Sequence, residues 1–131
     1  MDATLATHML NAMDAVRTGD IDALTAALDA GVPANLASPR GDGLLMLAAY
    51  YGWVDQVQLL AARGADVDQL GPRGQTPLSG AAFKGDLTVI EALLAVGADP
   101  KAQNADGSTA ADWAQRFGQH AAFELLSRRA A

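Results

Sequence analysis

The chain of 131 residues has no cysteine, which excludes disulfides, thiolate zinc sites and thiol catalysis. Aromatic residues are scarce: two Trp, two Tyr and three Phe. No apolar run approaches the ~18 residues needed to cross a bilayer. The start, "MDATLATHMLNAMDAV", has neither a basic n-region nor a clean apolar h-region. No signal peptide is therefore expected, and the cytoplasm is the expected location. Basic residues are outnumbered, nine against fifteen acids. The resulting formal charge of −6 argues against the chain as a whole binding nucleic acid or an anionic membrane. What is present is an apolar fraction of 50%, much of it alanine, spread evenly along a length that fits one ordered domain.

The strongest pattern is a period. Gly19, Gly52, Gly85 and Gly118 stand 33 residues apart, and so do Gly31, Gly64 and Gly97, and Gly41, Gly74 and Gly107. The best-formed period is "RGQTPLSGAAFKGDLTVIEALLAVGAD", residues 73–99. Thr76 is placed to N-cap a helix, and Pro77 follows at the first helical position, where its missing N–H costs nothing. Leu78, Ala81 and Ala82 line one face, and Gly85 stands where a left-handed terminator is wanted. Leu87, Ile90, Leu93 and Leu94 recur at helical spacing through a second helix, which Gly97 ends. The following "ADPKAQNADG" is turn chemistry. Two short helices cannot bury their own apolar faces, so each unit must be covered by the next, as in a solenoid.

These residues resemble ankyrin repeats. "GQTPLSGAAFKGDLTVIEALLAVGAD" matches one repeat and "LAAYYGWVDQVQLLAARGADVD" the one before it. "DGSTAADWAQRFGQHAAFELL" is a degenerate last repeat, and "AVRTGDIDALTAALDAGVPAN" a first repeat without its turn. The resemblance covers about residues 8–127 and implies an all-α ankyrin-repeat solenoid of stacked helix–turn–helix units joined by extended β-turn-like loops. The expected organisation is a single domain, 1–131, with units at about 8–37 (an N-terminal cap), 38–70, 71–103 and 104–131 (a C-terminal cap). The family's Thr-Pro-Leu-His is Thr76-Pro77-Leu78-Ser79 here, and no repeat keeps the histidine, which in the family resembles a tie between adjacent loops. Asp14, Asp20 and Asp22 at one end, and Gln115, Gln119, Glu124, Arg128 and Arg129 at the other, are expected to give the caps wet outer faces.

Catalytic and metal chemistry find no pattern. "DVDQLG" at residues 66–71 suggests a calcium loop, but Leu70 and Pro77 stand where ligands are required. Asp66 and Asp68 read instead as turn carboxylates. "GPRGQT" lacks the Gly-Lys-Ser/Thr of a phosphate loop. His8 and His120 lie near opposite ends, and the serines have no base at motif spacing. No catalytic residue, cofactor or metal ligand is expected.

Ankyrin repeats resemble interaction modules that bind through loop tips and the exposed face of each first helix. By register these variable positions are Pro39, Arg40, Asp42, Tyr50 and Tyr51; Pro72, Arg73, Gln75, Phe83 and Lys84; Ala105, Asp106, Ser108, Arg116 and Phe117; and, in the first unit, Arg17 and Thr18. Four of the seven aromatics fall here. So do five basic residues against two acids, a balance of +3 that leaves −9 for the rest of the chain. Adjacent helical residues such as Tyr50 and Tyr51 cannot both face inward. Phe83 and Phe117 fit either partner contact or packing between units. Trp53 and Trp113 sit off these positions and read as structural, Trp113 inside and Trp53 at a helix start.

The leading expectation is a small monomeric binding protein, bacterial from its Ala/Asp/Gly bias, whose partner protein presents an acidic patch. A sharper version is an inhibitor or immunity-type binder. The alternatives are an enzyme or small-ligand binder using the aromatic groove, or a passive scaffold.

Overall fold

A computed structural model describes residues 3–131. They form eight helices: α1 (Ala3–Thr18), α2 (Ile21–Asp29), α3 (Leu44–Tyr51), α4 (Val54–Ala62), α5 (Pro77–Lys84), α6 (Leu87–Ala95), α7 (Ala110–Arg116) and α8 (His120–Ala130). Each odd-numbered helix packs on the even-numbered helix after it. The odd-numbered helices also touch one another in order and form one layer, and the even-numbered helices form a second. Among the described residues no strand forms, only an isolated antiparallel bridge between Ala37 and Gly43. The architecture is the all-α solenoid that the period implies.

Local chemistry explains the helix ends. Thr76 Oγ1 accepts from the Ser79 N–H at 3.0 Å, Pro77 opens α5, and Gly85 ends it at φ 70°. A side chain at Gly85 would be strained by that φ and would collide with Gln119. Asp20 and Asp86 cap α2 and α6, and Thr109 and Asp112 form a capping box on α7. By contrast α3 and α4 start at Gly43 and Trp53 with no side-chain cap. Packing holds them, through the buried Leu44, Leu45, Ala48, Ala49, Val57 and Leu60.

The core runs the length of the stack, with Leu24, Leu44, Leu60, Leu78, Ile90, Leu93 and Leu126 fully buried. Each such side chain stabilises the fold by ~1.5–3 kcal/mol relative to exposure. Buried Ala48, Ala49, Ala81, Ala82 and Ala114 let the odd-numbered helices approach closely. One expected core residue is displaced. Leu87 is 41% exposed, and α6 buries Val89, Ile90, Ala92 and Leu93 instead. As the first helical residue, Leu87 has its Cα–Cβ bond tilted toward the N-terminus, beyond the packed turn.

The connecting turn is built the same way three times. The N–H of Ser38, Gly71 and Asn104 donates to the carbonyl of Asp42, Gln75 and Ser108, at 2.9, 2.8 and 2.8 Å. Gly41, Gly74 and Gly107, at φ 93°, 70° and 86°, make the reversal. The first unit has no such turn, and α1 replaces it by running back to Ala3, before the expected unit start near residue 8. At one junction a tie between adjacent turns forms without a histidine, through Asn104, whose Oδ1 accepts from the Thr76 N–H at 2.9 Å.

The cap residues named above are exposed apart from the half-buried Gln119, and two of them also tie the last unit to the one before it. Gln119 Nε2 donates to the Phe83 carbonyl at 3.0 Å, and Arg129 pairs with Glu91 at 2.8 Å. Trp113, expected inside, is half-buried at the rim, where its indole N–H donates to Ser108 Oγ at 2.9 Å. Trp53 does stand at a helix start, packed against the core.

Candidate partner-binding surface

The odd-numbered helices α3 and α5 end in a residue pair followed by a left-handed glycine, so Tyr50–Tyr51 and Phe83–Lys84 occupy equivalent last-turn positions. Arg17–Thr18 and Arg116–Phe117 precede Gly19 and Gly118, which also have positive φ. All eight residues are exposed. Tyr50, Tyr51, Phe83 and Phe117 are 56%, 46%, 48% and 46% exposed, which is unusual for large aromatics in so small a chain.

The side chains gather into two clusters. In the first, the rings of Tyr50 and Tyr51 meet edge-on at 5.2 Å. Lys84 reaches back to them from α5: its Nζ lies 4.5 Å from the Tyr50 ring centroid and donates to the Tyr50 carbonyl. In the second, Phe83 and Phe117 meet edge-to-face at 4.7 Å, and Trp113 backs Phe117 at 6.1 Å. Phe83 and Phe117 thus pack between neighbouring odd-numbered helices and stay half open to solvent.

The loop tips divide by chemistry. Arg40 and Arg73 are exposed and form no ion pair among the described residues. Arg17 pairs loosely with Asp14 at 3.6 Å. Gln75, Asp42 and Asp106 are engaged by their own turns. Gln75 Oε1 accepts from the Arg73 N–H at 3.0 Å, and the Asp42 carboxylate accepts from the Ser38 hydroxyl at 3.4 Å. Asp106 accepts from both the N–H and the hydroxyl of Ser108. That Ser108 hydroxyl bond, then the Ser108 N–H, and more weakly the Arg116 charge, hold the Asp106 carboxyl below its ordinary range. These three side chains shape the tips, and the arginines are the ones left available.

Two features escape a reading by register. Asn104 is buried, and its bond to Thr76 spans 28 residues of chain. The first unit contributes more than Arg17 and Thr18, because Ala6, Met9, Leu10, Met13, Leu36 and Pro39 line a groove of about 420 Å³ between α1 and residues 36–39. The recurrence of residues 6, 9, 10, 13 and 17 at helical spacing is the signal that could have found it. Among the described residues no group of three or more His, Asp or Glu side chains is placed to hold a metal ion.

Comparison with known proteins bears on this arrangement. The family model for ankyrin repeats, in three copies, matches residues 12–104. A stretch of 46 residues is 49% identical to a Pseudomonas aeruginosa protein named for its ankyrin repeats. That match takes in 35% of this chain and 27% of the relative, so the chain spans about a quarter of the relative's length.

Proposed function

This chain belongs to the ankyrin repeat family, whose repeats generally mediate protein–protein interaction, and we propose that it is a non-catalytic protein that binds its partner along the odd-numbered helices and loop tips. The observation behind this reading is the exposed row of Tyr50, Tyr51, Phe83 and Phe117 beside the unengaged Arg40 and Arg73. Aromatic and arginine side chains are the types that dominate interface hot spots. Arg17, Lys84 and Arg116 extend the same cationic row, and Asp42, Gln75 and Asp106 hold its tips in shape. A partner presenting carboxylates complements it.

The fuller reading is a monomeric bacterial protein, cytoplasmic, with the four units set out above in one domain, acting as an inhibitor or immunity-type binder by covering a partner's active site. No described helix is long and apolar enough to cross a membrane. The opposite, acidic surface is the competing site, suited to a basic partner.

Capture of a stoichiometric partner from the native source, repeated with the triple variant Arg40→Glu, Arg73→Glu and Arg116→Glu, separates the two surfaces. Binding along the arginine row should weaken at least ~10-fold and become less salt-sensitive. Undiminished capture by the triple variant would move the site to the acidic side.

A further inference from the structure

The groove beside α1 exists because the first unit breaks the repeat. Counting back 33 residues from Pro39, Asp42 and Gly43 leads to Ala6, Met9 and Leu10. At the later copies of these positions the chain forms a turn that rests on the next turn. Gly41 faces Pro72 across a space that a methyl group would just fill, and the Ala105 N–H donates to the Gly74 carbonyl at 2.7 Å. Here α1 stays helical. A helix offers no loop tip to lay against residues 36–39, and a trough remains.

That trough has the makings of a seat rather than of a packing fault. Its volume, about 420 Å³, falls within the ~300–1,000 Å³ typical of ligand clefts. Leu10, on its wall, is 68% exposed, more than any other large apolar side chain among the described residues. Met9 and Met13, flexible and polarisable, form adaptable walls. On its wall one base and one acid cancel, and the unpaired positive charge stands beside it at the exposed Arg40. Arg17 lines the groove, Arg40 adjoins the lining residue Pro39, and the one acid on the wall, Asp14, faces Arg17 at 3.6 Å.

We propose that this groove seats a short segment of the partner in the place of the missing turn, with one large aliphatic side chain against Leu10, Met9 and Met13 and a neighbouring carboxylate on Arg40 or Arg17. The assignment rests on the reading that the partner binds along the odd-numbered helices, and it adds where the partner's anchor sits and what its chemistry is.

The test uses the whole chain and three pools of short, acetylated and amidated peptides. One pool fixes a Leu followed by Glu residues; in the others the Leu becomes Ser, or the Glu residues become Lys. Methyl NMR reads Met9, Leu10 and Met13. The Leu–Glu pool should shift these methyls saturably, and either replacement pool should bind at least ~10-fold more weakly. Leu10→Ser, at an exposed site that leaves the fold intact, should cost the Leu–Glu pool a similar factor. Equal shifts from the Leu and Ser pools, or none from the Leu–Glu pool, overturn the assignment. The captured native partner then separates the two readings. Loss of that partner with Arg73→Glu but not with Leu10→Ser overturns the groove and leaves the broader surface standing. Retention by both variants overturns the surface and the groove together.

Discussion

The segment at residues 71–76 meets the turn at 104–108 through two hydrogen bonds, and the turn at 38–42 through none among the described residues. On the C-terminal side the Ala105 N–H donates to the Gly74 carbonyl, and Asn104 Oδ1 accepts from the Thr76 N–H. On the N-terminal side the equivalent positions are Pro72 and Gly71, one without an N–H and the other without a side chain. There Gly41 faces Pro72 across a space that a methyl group would just fill. Away from the tips the two junctions are matched. Asn35 Oδ1 accepts from the Asp66 N–H at 2.6 Å, and the Asp68 carboxylate accepts from the Asp99 N–H at 3.1 Å. Two junctions with the same turn geometry therefore differ in hydrogen bonding through two residue identities, and the one with fewer bonds, expected to be the looser, lies nearer the groove.

Breaking the stiffer junction should have the largest effect. Asn104→Ala strands the Thr76 N–H, and Thr76 is only 1% exposed. The cost should be ~1–3 kcal/mol in urea denaturation, because the buried donor loses its partner and gains no water. An unchanged midpoint would mean that the tip tie is idle. In the intact chain the same bond should slow hydrogen exchange of the Thr76 amide at least ~10-fold relative to Gly43, its counterpart at the looser junction.

Ala105→Pro turns one junction into the other. The same turn already accepts Pro72 in the equivalent position, so backbone strain should be small. Loss of the bond to Gly74 costs ~0.5–1.5 kcal/mol, and the stiffer unfolded chain returns ~0.4–1 kcal/mol. A net loss of about 0.5 kcal/mol is expected in urea denaturation, with faster exchange confined to residues near the two tips.

These junction differences also mark how far the sequence could be read. The solenoid was legible because its glycines are periodic and Thr76–Pro77 and Gly85 each have one local meaning. Register places Tyr50, Tyr51, Phe83 and Phe117 at variable positions, and leaves open whether Phe83 and Phe117 pack between units. What each ring touches does not follow from register, since Lys84 on Tyr50 and Phe117 on Phe83 are both contacts across 34 residues of chain. Asn104 looked like one more turn residue, and its acceptor role depends on how two turns are juxtaposed. Leu87 misled because helical spacing does not say which turn of a helix reaches the core. The groove was hidden for a related reason: a missing turn leaves no motif, only a helix that continues where the period asks it to stop.

The smallest expected effect concerns the connectors, where one tie is made by an amide and its repeat by a carboxylate. Burial, the largest cause, pushes the Asp68 carboxyl above its ordinary range; the Asp99 N–H pulls the other way, and the charges of Asp99 and Asp66 add to the rise. A carboxyl whose pKa is raised on folding binds its proton more readily in the folded chain. Its unfavourable contribution is absent below the unfolded pKa, grows as pH rises toward the folded value, and is complete above it. Asp68→Asn should keep the acceptor for Asp99, as Asn35 does for Asp66, and remove the like-charge repulsion. The expected gain at neutral pH is below about 0.5 kcal/mol, since the site is partly solvated and screened. It should vanish in denaturation at acid pH, below the ordinary aspartate range. A variant that is instead less stable at neutral pH would show that the bond to Asp99 needs the negative charge, and that the two connectors are not interchangeable.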